Sequence, residues 1–267
     1  MLRCSVAGLV ALAALGAVTP AVRACTRPMA MVEMAGYAAE VWTVRVDGVQ
    51  SHWADNPQRI ETELTLSIEE PLKGQRGVGE RFTMTAPGGT VGDWEMRLCC
   101  APQFEPGKSY VIFVLPEYRT YPTVGMSRGV FELVADQAGT QRVMTVDGDA
   151  VMEIGVDGLP VLARGHDVPK PKASQGVRVV DVPANKVMER AMTYEAFKAA
   201  LEPVLAQSHA YPAGGPVARR VTADYSAVAL VAANEGRVGN APARVEARKQ
   251  PVATAPPRAG AQDGGQP

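Results

Sequence analysis

The chain is poor in the residues that most enzymes and nucleic-acid binders rely on. Of 267 residues only four are cysteine and three are histidine, and 6% are aromatic. His52, His166 and His209 are scattered through sequence that reads as loop, and none has a second ligand at metal-binding spacing. A metal of the protein's own is therefore not expected, and neither is any other cofactor. A formal net charge of −1 removes any electrostatic reason to expect nucleic acid or an anionic lipid surface as partner. The longest apolar run, Val6 to Val18, falls short of the roughly 20 residues that a membrane-spanning helix needs. Phosphate-binding signatures are missing too. "PGGTVGD" at 87–93 has the glycines but neither the Lys-Ser/Thr ending nor a following helix, so it reads as a wide turn. Adjacent strand carboxylates such as Glu69 and Glu70 point to opposite faces and make no acid–base pair. No repeat of fixed period is present.

What is there begins with a secretory signal. Arg3 supplies the positive start, the apolar run follows, and Val22-Arg23-Ala24 ends it as an A-x-A-like cleavage site. Cleavage after Ala24 places Cys25 first in a secreted or periplasmic protein. The alternative is a lipoprotein, with diacylglycerol on the Cys25 sulfur, but Arg23 fits a lipobox badly. The Ala-, Val-, Gly- and Arg-rich composition points to a bacterial source. Three cysteines outlast processing, Cys25, Cys99 and Cys100. Outside the cytoplasm a disulfide is the expected state. The odd count leaves one thiol over, or a strained bond between the adjacent pair. A bridge from Cys25 to "LCCAP" would be worth about 4–5 kcal/mol in the chain-entropy model, with Cys99 and Cys100 equally eligible.

From residue 40 the pattern is β. "EVWTVRV" puts Trp42, Val44 and Val46 on one face, and "RIETELTLSIEEPLKG" puts Ile60, Leu64, Leu66 and Ile68 inward with Glu61, Glu63 and Glu69 outward. "ERFTMTAP" pairs Phe82 with Met84. "SYVIFVL" is apolar on both faces, as in a central strand covered on each side. Hairpins are predicted at Asp147-Gly148 and Asp157-Gly158. The one clear helix is "MTYEAFKAALEPVLAQ", capped by Thr193 and kinked or ended by Pro203. Short strands with almost no helix predict a mainly β protein built on a small closed barrel. The expected division is a signal peptide at 1–24, a barrel domain at 25–165, a linker at 166–190, a short amphipathic helix at 191–206 and an Ala/Pro/Gly-rich disordered tail at 207–267. Within that tail, 225–233 reads as a transient helix.

The order of several motifs resembles a known family. "CT", "YAAEVWTVRVDGV", "EEPLKG", "RFTMTAPGGTVG", a cysteine and "GKSYVIFV" follow one another as in the netrin-like, OB-fold module of the tissue inhibitors of metalloproteinases. The order is closer still to that of secreted bacterial proteins of the superfamily, whose functions are mostly unassigned. The likeness covers about residues 25–135 and extends weakly to the helix at 193–206. It implies an OB-like barrel and a role as inhibitor rather than enzyme, with an extracellular zinc protease or another envelope protein as partner. By that resemblance the α-amine and carbonyl of Cys25 would chelate the protease's zinc, Thr26 would enter the specificity pocket, and Cys99 or Cys100 would anchor the segment. Two departures stand out: Arg27 occupies the place of the family's second cysteine, and its further disulfides are missing. In the simpler reading Cys25 only staples the N-terminus to the domain. The expectation is a non-catalytic secreted binding module. The alternatives are a hydrolase whose site is not visible in sequence and a structural envelope protein tethered by lipid.

Overall fold

Period-two alternation governs the first two strands. β1 (Glu40–Trp53) and β2 (Ile60–Lys73) form a long antiparallel pair in a computed structural model that describes residues 27–54, 59–166, 176–208, 218–220 and 228–232. Val44 stands opposite Ile68 and Val46 opposite Leu66. The residues expected inward, Trp42, Val44, Val46, Ile60, Leu64, Leu66 and Ile68, are all buried. Glu61 departs from the expectation: it is buried beside Arg59, whose Nε lies 3.0 Å from its carboxylate and offsets the burial. The chain divides into two units, Met1–Gly236 and Arg237–Pro267, and all described residues belong to the first. The signal peptide, Cys25 and Thr26 lie outside the described residues, as do 167–175 of the linker and most of the tail.

β3 (Arg81–Pro87) pairs with β2, and β6 (Ser109–Val114) takes the other edge of β1. β6 is covered on both faces, as its unbroken apolar sequence requires. Tyr110, Ile112 and Val114 join the Trp42 cluster, while Val111 and Phe113 face a second cluster on the opposite side. Beyond it come β8 (Val130–Ala135), β9 (Gln141–Thr145), β10 (Ala150–Ile154) and β11 (Pro160–Gly165). β9–β10 and β10–β11 turn at the predicted dipeptides, where Gly148 and Gly158 take φ of 85° and 75°. β12 (Val179–Val182) adds in parallel to β11. The strand order is β12-β11-β10-β9-β8-β6-β1-β2-β3. The protein is mainly β, with one large sheet and few helices. The expected closure into a barrel is not among the pairings of the described residues, in which β3 and β12 stand at the two ends of the order.

Among the described residues three α-helices accompany the sheet, where one was expected. α1 (Met31–Tyr37) and α3 (Tyr194–Gln207) cover one face, and α2 (Val187–Arg190) is a single turn. Met31, Met34, Phe197 and Leu201 are buried against Val41, Val111, Phe113 and Phe131, each worth about 1.5–3 kcal/mol of burial. The rings of Phe131 and Phe197 meet at 5.0 Å. The Thr193 hydroxyl caps α3 by accepting from the Ala196 amide at 3.2 Å. Pro203 does not end α3, which runs on to Gln207. Ala199 and Pro203 both lie on the exposed face, where water can serve the carbonyl that proline leaves without a donor. The segment read as a linker, 166–190, is partly regular, because β12 and α2 bury Val182 and Val187 against Met144 and Ala163.

A smaller sheet is built from β4 (Gly89–Val91), β5 (Trp94–Leu98) and β14 (Val228–Ala232). Gly89, at φ 128°, leads into it at a point where a side chain would collide with the Ser51 and Thr62 hydroxyls. "PGGTVGD" is thus a strand entry rather than a plain turn. β13 (Arg219–Arg220) runs parallel to β7 (Glu117–Tyr118). The tail read as disordered therefore contributes two strands, and the run read as a transient helix contains β14.

Candidate functional site

The cysteine pair sits in the turn that ends β5. Leu98 closes the strand, the Ala101 amide donates back to the Leu98 carbonyl at 3.3 Å, and Cys100 takes a left-handed φ of 63°, uncommon for a residue with a side chain. The Ser127 amide holds that conformation by donating to the Cys100 carbonyl at 3.1 Å. The two sulfurs lie 3.6 Å apart, well beyond the bonded distance of about 2.05 Å. They are not bridged to each other, and Cys100 carries a thiol.

Ser127 belongs to a single turn, Met126–Gly129, entered through Gly125 at φ 59°. The same turn receives the start of the described chain. A side chain on Gly125 would come within 3.0 Å of the Met29 sulfur and 3.3 Å of Arg128. The next residues dock on two further glycines. The Met31 amide donates to the Gly158 carbonyl at 2.9 Å, a side chain on Gly158 would stand 3.1 Å from the Ala30 methyl, and Gly176 leaves no room for one against Pro28. Arg27 closes the segment onto α1 by pairing with Glu33, with Nη1 donating at 3.0 Å. Positions 28–31 thus cross turns of the large sheet where only glycine allows so close an approach.

Beneath this segment lies a cavity of about 30 Å³, lined by Met29, Met34, Arg128, Asp147 and Asp149 among others, enough for one or two waters. Arg128 is half-buried there, and burial lowers its pKa against the opposing charges of Cys100 and Asp147. Asp147 is exposed as a residue, yet burial of its carboxyl on the cavity side raises its pKa. Asp149 adds to the rise, and Arg164 and Arg128 oppose it. Asp149 and Arg164 are 1% and 3% exposed and form a bidentate pair, with Arg164 Nε donating to Oδ1 at 2.7 Å and Nη2 donating to Oδ2. Hydrogen bonding to Asp149 raises the Arg164 pKa further, holding the guanidinium charged.

Of the residues singled out in the sequence, the structure brings Cys99 and Cys100 together at one edge of this platform. Cys25 and Thr26 lie outside the described residues. Met29, Arg128 and the Asp149–Arg164 pair were not singled out. Asp147 and Asp149 had been read only as turn formers, and no local signal joins them to Arg128. His52 lies on β1 opposite Glu61, not in a loop. Among the described residues, no group of three or more His, Cys, Asp or Glu side chains is placed to hold a metal ion, and no helix is long and apolar enough to cross a membrane. Set against known proteins, the chain matches no family model, no curated protein and no solved structure.

Proposed function

We propose that this protein is a non-catalytic binding module that works outside the cytoplasm and presents its processed N-terminus, Cys25-Thr26, as the contact element. One observation carries the reading. Met29 packs against the turn at 125–128, Pro28, Ala30 and Met31 dock on Gly176 and Gly158, and the turn at 125–128 also holds the Cys100 backbone. The four residues from Cys25 to Met29 span at most about 14 Å when extended. A chain that starts at Cys25 would then have the cysteine pair within its reach. A Cys25–Cys99 bridge is the proposed anchor, favoured over Cys25–Cys100 because Cys100 carries a thiol.

The specific form of the proposal is metalloproteinase inhibition by a netrin-like module. Supporting it are the order of the long β1–β2 pair, β3, the cysteine turn and β6, and a first segment braced by glycine contacts. Bracing matters because a wedge that is already ordered loses less entropy on entering a cleft. An α-amine of pKa about 7.7–8.0 releases its proton readily to a metal near neutral pH, and zinc accepts nitrogen and oxygen ligands. Cys25 would supply both, and Thr26 would point into the protease.

The experiment compares inhibition of a zinc endopeptidase by the processed protein and by a version with one alanine placed before Cys25. Native inhibition that falls at least 100-fold in the extended version supports chelation by the terminus. Equal inhibition, or none from the native protein, overturns it.

A further inference from the structure

Three buried polar atoms without a hydrogen bond meet at the start of β1: Oε2 of Glu40, Nε1 of Trp42 and Nε of Arg76. Glu40 and Trp42 are two residues apart on β1, so strand alternation puts them on the same face. Arg76 comes from the turn between β2 and β3. Its guanidinium lies 5.7 Å from the centre of the Trp42 ring and 4.9 Å from that of Phe82. Those two rings meet edge to face at 5.2 Å. Gly74 opens the turn at φ 114°, and a side chain there would come within 2.7 Å of the Glu40 side chain. The Glu40 carboxylate is thus closed in by the backbone of the turn and by the stacked guanidinium.

The other contacts of these groups leave the three atoms over. Arg76 donates from Nη1 to Glu80, while its Nε lies 3.9 Å from Glu40 Oε2, beyond the roughly 3.5 Å reach of a direct hydrogen bond. Trp42 is fully buried, so its indole N–H has no path to bulk solvent. That N–H bears on the Glu40 carboxyl group: burial raises the Glu40 pKa, and the Arg76 charge and the Trp42 N–H oppose the rise, with Glu80 adding to it. Three polar atoms left so in a folded protein would each carry their full desolvation cost.

The chemistry of the three atoms selects the ligand. Two are N–H donors with no lone pair to offer a metal ion, and the third is a carboxylate oxygen that repels an anion. One water molecule is the complement of all three. Its oxygen accepts from the indole and from the guanidinium, and one of its O–H groups donates to Glu40. Three hydrogen bonds are what a buried water ordinarily makes, and a polar contact stretched past about 3.5 Å is where such a bridge is expected.

We propose that Glu40, Trp42 and Arg76 form a binding site for a single buried water, which bridges the β2–β3 turn to the first residues of β1. The test is magnetic resonance of the full processed chain, reading the cross-peak between the Trp42 indole proton and water. A water held longer than the protein takes to tumble gives nuclear and rotating-frame Overhauser effects of opposite sign, whereas simple proton exchange gives the same sign in both. The unaltered protein should show the opposite-sign pair. Glu40→Gln keeps a carbonyl acceptor and should retain it. Glu40→Leu removes the acceptor and fills the space, and should abolish it. A missing or same-sign peak in the unaltered protein overturns the proposal, as does an opposite-sign peak that survives Glu40→Leu unchanged. A crystal structure in which Glu40 Oε2 bonds directly to either nitrogen overturns it independently of any variant.

Discussion

Arg164→Met is the sharpest perturbation of the platform under the N-terminal segment. Asp149 and Arg164 are both buried and joined by two hydrogen bonds across the β10–β11 hairpin. The Asp149 main chain is fixed as well: its carbonyl accepts from the Thr145 amide at 2.8 Å, and its amide donates to the Thr145 hydroxyl at 3.1 Å. The carboxylate cannot swing out to water without breaking the turn. Removing the guanidinium strands a charge with its partner gone, which costs about 3–5 kcal/mol in buried pairs of this kind. That is a large share of the roughly 5–15 kcal/mol that holds a typical domain folded. Replacing both partners, Asp149→Leu with Arg164→Met, removes the stranded charge and should recover most of the loss. Urea unfolding followed by the fluorescence of Trp42, Trp53 and Trp94 measures all three proteins. Because Asp149 lines the cavity below Met29, the single variant should also loosen the Met31 amide in hydrogen exchange. A single-variant loss below about 1 kcal/mol, or a double variant no better than the single, would refute the reasoning.

Two further outcomes follow from the same geometry. Tyr194 donates to Glu70 at 2.7 Å and lies 2.6 Å from the buried Thr43 hydroxyl, so Tyr194→Phe should cost about 1–2 kcal/mol in urea unfolding by leaving Thr43 short of a partner. Asp147, whose pKa is raised chiefly by burial and then by Asp149, binds its proton more tightly folded than unfolded. Its ionisation therefore subtracts stability as pH rises through and above the ordinary aspartate range. Asp147→Asn, which keeps a turn-compatible Asn-Gly pair, should raise the melting temperature at pH 7. Thermal scans across pH should show that gain shrinking as pH falls below about 4; a gain independent of pH would assign it to the turn alone.

The strands were legible because alternation is local. Trp42, Val44, Val46 and the β2 residues declare their face without reference to anything distant, as does the doubly apolar β6. α1 also carried a signal, Met31, Met34, Ala35 and Ala38 at helical spacing, but seven residues are too few to stand out from loop. "VALVA" at 228–232 is apolar at every position, so periodicity cannot separate strand from helix. Only the open edge of β5 decides it. β12 declares itself only through its parallel pairing with β11, which no short window of sequence reveals. The site divides the same way. Adjacent cysteines are visible in any sequence, whereas Arg128, Asp147 and Met29 meet only because three glycine turns bring their loops together.

The central claim is that the processed chain begins at Cys25 and is stapled beside the turn at 125–128. Peptide mapping of the protein purified from its producing cells and medium, without reduction and after alkylation of thiols, tests it most directly. The account predicts an unmodified Cys25 at the first position, linked to Cys99, with the alkylating group on Cys100. A Cys99–Cys100 bond, a fatty-acylated Cys25, or a chain that does not begin at Cys25 would contradict it.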